Sequence, residues 1–63
     1  NITLNGASAV LNVGTTGIAS NLTMAGTSTL TVNNAAGQLN VFGNLTLASS
    51  GGLSNVGTIN VGD

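Results

Sequence analysis

The chain has 63 residues, enough for one small unit, and its 10 Gly, 10 Asn, 9 Thr, 7 Ala and 6 Ser make two-thirds of it small or short and polar. It holds no Lys, Arg, His, Cys, Pro, Trp or Tyr, and Asp63 is its only formal charge. That excludes electrostatic binding to nucleic acid or anionic lipid, disulfide frameworks and thiolate metal sites, while no apolar run reaches the roughly 18 residues of a transmembrane helix.

The chain opens on Asn1-Ile2-Thr3-Leu4, which reads polar, apolar, Thr, apolar, the period-2 pattern of a half-buried strand. The same stretch returns as Asn21-Leu22-Thr23-Met24 and Asn44-Leu45-Thr46-Leu47, starting 20 and then 23 residues later, and Asp63 stands 19 further on, where a fourth copy would begin. Spacing near 20 predicts a stacked repeat with one supersecondary unit per copy. The rungs are then residues 1–20, 21–43 and 44–62.

Each opening strand is followed by a turn of small residues: Asn5-Gly6-Ala7-Ser8, Ala25-Gly26-Thr27-Ser28 and Ala48-Ser49-Ser50-Gly51. A second apolar pair comes next, Val10 with Val13, Leu30 with Val32, Leu53 with Val56. After another Gly-rich corner a third strand closes each rung, carrying Ile18, then Leu39-Asn40-Val41, then Ile59-Asn60-Val61. Apolar residues at i, i+2 with Gly at the corners favour strands, and no window carries the i, i+3, i+4, i+7 stripe of a helix.

The expected fold is therefore all-β, a parallel β-solenoid of three rungs with three short strands in each. Stacking rungs in register predicts internal columns of Ile2/Leu22/Leu45, Leu4/Met24/Leu47, Val10/Leu30/Leu53 and Ile18/Leu39/Ile59. In the middle rung Leu22, Met24, Leu30, Val32, Leu39 and Val41 should face inward, with Thr23, Thr31 and Asn40 outward. The longer second rung should place its extra residues at the corner Asn33-Asn34-Ala35-Ala36, where insertion is inexpensive. Leu11 breaks the alternation in the first rung and reads as a local bulge.

Asn-Leu-Thr-Leu and Gly-x-[Leu/Ile]-Asn-Val units at this spacing resemble the passenger repeats of bacterial autotransporters and filamentous-haemagglutinin-like exoproteins. That resemblance implies a right-handed parallel β-helix displayed on, or secreted from, the cell surface. A weaker resemblance is to phage tail-fibre and adenovirus-type shaft repeats, in which Leu-x-Val pairs alternate with Gly turns in a trimer.

Catalysis needs a proton donor, an activated nucleophile or a metal. With no His, Cys, Lys, Tyr or Glu, the chain offers Ser and Thr hydroxyls without a base, so it is read as a non-enzyme with no cofactor. A lone Asp63 is not a calcium site, which needs several oxygen ligands. Asn1, Asn21 and Asn44 begin Asn-x-Thr sequons, by-products of the repeat unless they are glycosylated, and asparagines can also stack as an amide ladder in a corner. Asn12, Asn40 and Asn60 are expected to face out, as is Phe42, the single aromatic. Thr3, Thr23 and Thr46 are expected to form one external column, a candidate contact face.

The sequence thus reads as a structural segment of an extracellular fibre or bacterial surface adhesin, placed outside the cell or on its surface. Its partners would be copies of itself or flanking repeats stacked end to end, with glycans or other fibres as further contacts and no nucleic acid. Neither end carries a polar cap, so another rung is expected to continue the stack. A trimeric viral or phage fibre shaft, a functional amyloid and an ice-binding solenoid are the alternatives. No signal-peptide pattern is present, as expected of a piece of a mature chain.

Overall fold

A computed structural model describes residues 1–62 and is all-β; Asp63, expected to begin a fourth repeat, lies outside the described residues. The strands are β1 (Ile2–Leu4), β2 (Val10–Thr15), β3 (Ile18–Ala19), β4 (Leu22–Met24), β5 (Thr29–Val32), β6 (Gln38–Val41), β7 (Leu45–Leu47), β8 (Gly52–Asn55) and β9 (Thr58–Val61). They form three sheets, ordered β1-β5-β8, β3-β2-β6-β9 and β4-β7. Every pairing is parallel except the short β2–β3 hairpin.

Leaving β3 aside, the chain visits the first sheet, the second and the third, then the three again, then the first and second once more. Each pass lies on the one before. The Cα atoms span 29 × 28 × 12 Å, and the short dimension suits three layers about 4.8 Å apart. The core is the middle pass: Leu30, Val32, Leu39 and Val41 are fully buried because each has a layer above and below, and Met24 joins them from the first pass. Thr23 is exposed and Thr31 and Asn40 are half-buried. The inward and outward assignment of the middle rung therefore holds, since strand alternation alone decides it.

In the expected columns the second- and third-rung members pair as expected, Leu22/Leu45, Met24/Leu47, Leu30/Leu53 and Leu39/Ile59, but the first-rung member of each lies elsewhere. Ile2 pairs with Leu30, not with Leu22, and Leu30 in turn with Leu53. Leu4 pairs with Val32, Met24 with Leu47 and Leu22 with Leu45. The column containing Leu39 and Ile59 is completed by Leu11, not by Ile18. Val10, expected inside, aligns with Gln38 and is 53% exposed. Leu11 is no bulge: Leu11-Asn12-Val13 stacks directly on Leu39-Asn40-Val41 and Ile59-Asn60-Val61, with the apolar pair inward each time.

The reason is a change in repeat length along the chain. Aligned residues are 28 apart at first (2 to 30, 10 to 38), then 23 (22 to 45, 30 to 53), then 20 (38 to 58). The first loss, from 28 to 23, falls at the hairpin. There β2 runs on past Val13, its last residue in register with β6, and pairs Gly14 with Ala19 and Thr15 with Ile18. Ile18 is 69% exposed and belongs to this excursion, not to the core. Gly14 permits it, with φ of 90° and a backbone so close that a Cβ there would lie 2.7 Å from the Ile18 carbonyl oxygen.

The second loss, from 23 to 20, falls at the corner between the first and second sheets. Five residues, 33–37, make that corner in the second pass and two, Val56 and Gly57, make it in the third. The extra length expected at Asn33-Asn34-Ala35-Ala36 is located there. Asn34 Oδ1 accepts the Ala36 N–H and Asn55 Oδ1 the Gly57 N–H, both at 2.9 Å, so an Asx turn shapes the bend in the second and third passes.

Candidate functional site

The described residues enclose no pocket, and no three His, Cys, Asp or Glu side chains come together among them. What repeats is the outer surface. Because side chains alternate across a strand, each sheet buries one set of residues and presents the other, and stacked passes turn that second set into ladders.

The second sheet carries an amide ladder. Asn40 Nδ2–H donates to Asn12 Oδ1 at 2.9 Å, and Asn60 Nδ2–H donates to Asn40 Oδ1 at 2.8 Å. These three asparagines face outward as expected, but the ladder runs along a strand face. A single amide–amide bond does occupy a corner, where Asn33 Nδ2–H donates to Asn5 Oδ1 at 2.9 Å. Replacing Asn40 by Ala removes two rungs of bonding and strands one amide on each side. It is expected to cost about 1–2 kcal/mol, against about half that for Asn60→Ala, which removes one bond. Urea melts at a single protein concentration measure both.

The first sheet carries a hydroxyl ladder, Thr3 aligned with Thr31 and Thr31 with Ser54. The third sheet aligns Thr23 with Thr46. Thr3, Thr23 and Thr46 are all exposed, but the single column expected of them is split between two sheets. Thr31 and Ser54 were missed as members of the first ladder. The signal that finds them is the Thr-Leu-Thr-Val and Gly-Leu-Ser-Asn alternation, once β1 is known to stack on β5.

The sequon asparagines Asn1, Asn21 and Asn44 are exposed at strand starts. Two of them bridge passes. Asn1 Oδ1 accepts the Thr29 N–H at 2.9 Å and Asn21 Oδ1 the Asn44 N–H at 2.8 Å, so each asparagine holds the main chain of the residue stacked against it. Phe42 is half-buried: its N–H donates to the Val13 carbonyl and its Cβ lies close to Gly14, at the start of the hairpin.

The outer surface is thus a lattice of neutral donors and acceptors repeated from pass to pass, with hydroxyls on the first and third sheets and amides on the second. Such a surface suits weak contact made many times over. No protein-family model, curated protein or solved structure matches the chain.

Proposed function

We propose that this chain is a segment of a parallel β-solenoid whose role is to build the length of an extracellular fibre or bacterial surface adhesin. The supporting observation is the repeated order of sheets, with strand placed parallel on strand and like residue on like: Leu11/Leu39/Ile59, Asn12/Asn40/Asn60, Val13/Val41/Val61. A unit of this kind contacts only its neighbours and can be extended without changing its cross-section. The resemblance to autotransporter and filamentous-haemagglutinin-like repeats points the same way. Adhesion, in this reading, is made by the neutral ladders, multivalently and without a pocket. The trimeric shaft, amyloid and ice-binding alternatives draw on no comparable observation.

Tandem chains of one, two and four copies test the reading. Eight solenoid strands over three faces should add roughly 13 Å of length per copy at about 4.8 Å per layer. The melting temperature should rise with copy number as interfaces between neighbours accumulate. Small-angle scattering and calorimetry read the two quantities. Beads of constant size on a string, each melting as the single copy does, would overturn it.

A further inference from the structure

We infer that Asn5 is a self-modifying residue, its side-chain amide converted to a carboxylate through a cyclic imide closed by the main-chain nitrogen of Gly6. The inference stands apart from the fibre reading, since it concerns one corner, between β1 and β2, and holds whether or not copies extend one another. Asn5-Gly6 is the one Asn-Gly pair among the 10 Asn of the chain. Both residues are exposed.

The step is an intramolecular acyl transfer with water as its only co-reactant. The Gly6 nitrogen gives its proton to hydroxide and attacks Asn5 Cγ. A C–N bond forms, the Cγ–Nδ2 bond breaks, and the leaving nitrogen takes a proton from water and departs as ammonia. Water then opens the five-membered imide at either carbonyl, giving aspartate or isoaspartate, and nothing is oxidised or reduced. Nucleophile and carbonyl are adjacent in the chain, so little entropy is lost in bringing them together. Glycine has no Cβ to crowd the closing ring and the freest backbone to reach it.

The fold leaves these groups available. Among the described residues nothing accepts the Gly6 N–H, so no hydrogen bond has to break before it attacks. Asn5 Oδ1 accepts Asn33 Nδ2–H at 2.9 Å, which draws electron density from Cγ as an oxyanion-hole donor does. The leaving Nδ2 of Asn5 donates to no described residue. The corner rests on the second pass: the Leu4 carbonyl accepts the Asn33 N–H, and a Cβ built on Gly37 would lie 3.7 Å from the Gly6 carbonyl oxygen. The arrangement is therefore set by the second pass and not by the opposite edge of β1.

The other asparagines are held back. Asn34 and Asn55 commit Oδ1 to the Asx turns at Ala36 and Gly57. Asn12, Asn40 and Asn60 lie within paired strands, each followed by a valine, and extended backbone with a β-branched neighbour keeps the next nitrogen from Cγ. Asn1, Asn21 and Asn44 precede Ile2, Leu22 and Leu45, the first residues of strands. Asn33 is followed by Asn34, whose side chain crowds the ring where Gly6 does not.

Either product alters the corner. Aspartate keeps an acceptor for Asn33 and makes that bond charge-assisted. Isoaspartate carries the chain through Cγ, adds one methylene to the main chain and sets its carboxylate directly on Cα, so the present contact with Asn33 is lost. Both place a negative charge on a surface whose described side chains hold none, and the charge accumulates with the age of the protein.

The chain is held at neutral and at mildly alkaline pH, at a concentration giving the full β circular-dichroism signal. Peptides spanning each asparagine are followed by mass spectrometry, with electron-transfer fragmentation to separate aspartate from isoaspartate. Asn5 should convert first, in proportion to hydroxide and within about tenfold of its rate in urea. Gly6→Ala, which is expected to leave the fold intact, should slow the conversion roughly tenfold or more. Earlier conversion of another asparagine, a folded-state rate more than about tenfold below that in urea, or an unchanged rate in Gly6→Ala overturns the inference.

Discussion

Leu39→Ala is expected to lower stability by about 2–5 kcal/mol, enough to unfold much of the population of a domain this small, whose whole stability is on the order of 3–9 kcal/mol. Leu39 is fully buried, with Leu11 on one side of it and Ile59 on the other. Its removal opens a void that strands fixed by parallel hydrogen bonds on both edges are poorly placed to close. The same truncation at Leu53 is the control. Leu53 is 52% exposed because its column ends there among the described residues, so Leu53→Ala should cost about 1 kcal/mol or less. Denaturant melts of the two variants measure the contrast. Equal losses would show that the layers do not share one stacked core.

The Gly57→Ala variant is expected to lose about 2 kcal/mol or more, although it adds only a methyl group. A Cβ at Gly57 would lie 2.5 Å from the Gly37 carbonyl oxygen, 2.6 Å from that of Asn34 and 2.8 Å from Val32 Cγ1. Two of the three obstacles are backbone, so relief requires the third-pass corner to lift off the second. That corner is the short one, and the Thr58 N–H donates to the Gly37 carbonyl across it. A lifted corner would therefore also loosen the β6–β9 register and the Asn60 end of the amide ladder. Gly6 sits in the equivalent corner of the first pass with nothing within 4 Å of a built Cβ. Gly6→Ala should be neutral or stabilising by up to about 1 kcal/mol, through the unfolded chain. Thermal melts of both variants decide it, and a tolerated Gly57→Ala would mean that the corners do not nest.

The sequence by itself determined the strands and their faces in the second rung, though not in the first, where Val10, Leu11 and Ile18 were misplaced. Period-2 alternation in Leu-Thr-Met, Thr-Leu-Thr-Val and Leu-Asn-Val is a local property, and so is the direction each side chain takes from its strand. The burial of Leu30, Val32, Leu39 and Val41 and the outward turn of Asn12, Asn40 and Asn60 were legible for that reason. Gly and Asn marked the corners, because few other residues turn a chain so tightly.

Tertiary structure alone decided where the first-rung strands lie, while the pairing of the second rung with the third was already legible. Asn1-Ile2-Thr3-Leu4 resembles the strands of the third sheet yet pairs in the first, because the choice between two similar parallel edges depends on the length of chain between them and not on the strand itself. The shared Leu-Asn-Val triad at residues 11–13 and 39–41 carried the true register, and the spacing of the Asn-x-Thr strands, 20 and 23 residues, pointed away from it. The hairpin closed by Gly14 takes up five residues outside the stack, and the corner at Gly57 drops three. The candidate face changed with the register, from one threonine column to two hydroxyl ladders and one amide ladder. A ladder is made of residues 20 to 28 positions apart, and no local pattern fixes a contact at that distance when the repeat length itself varies.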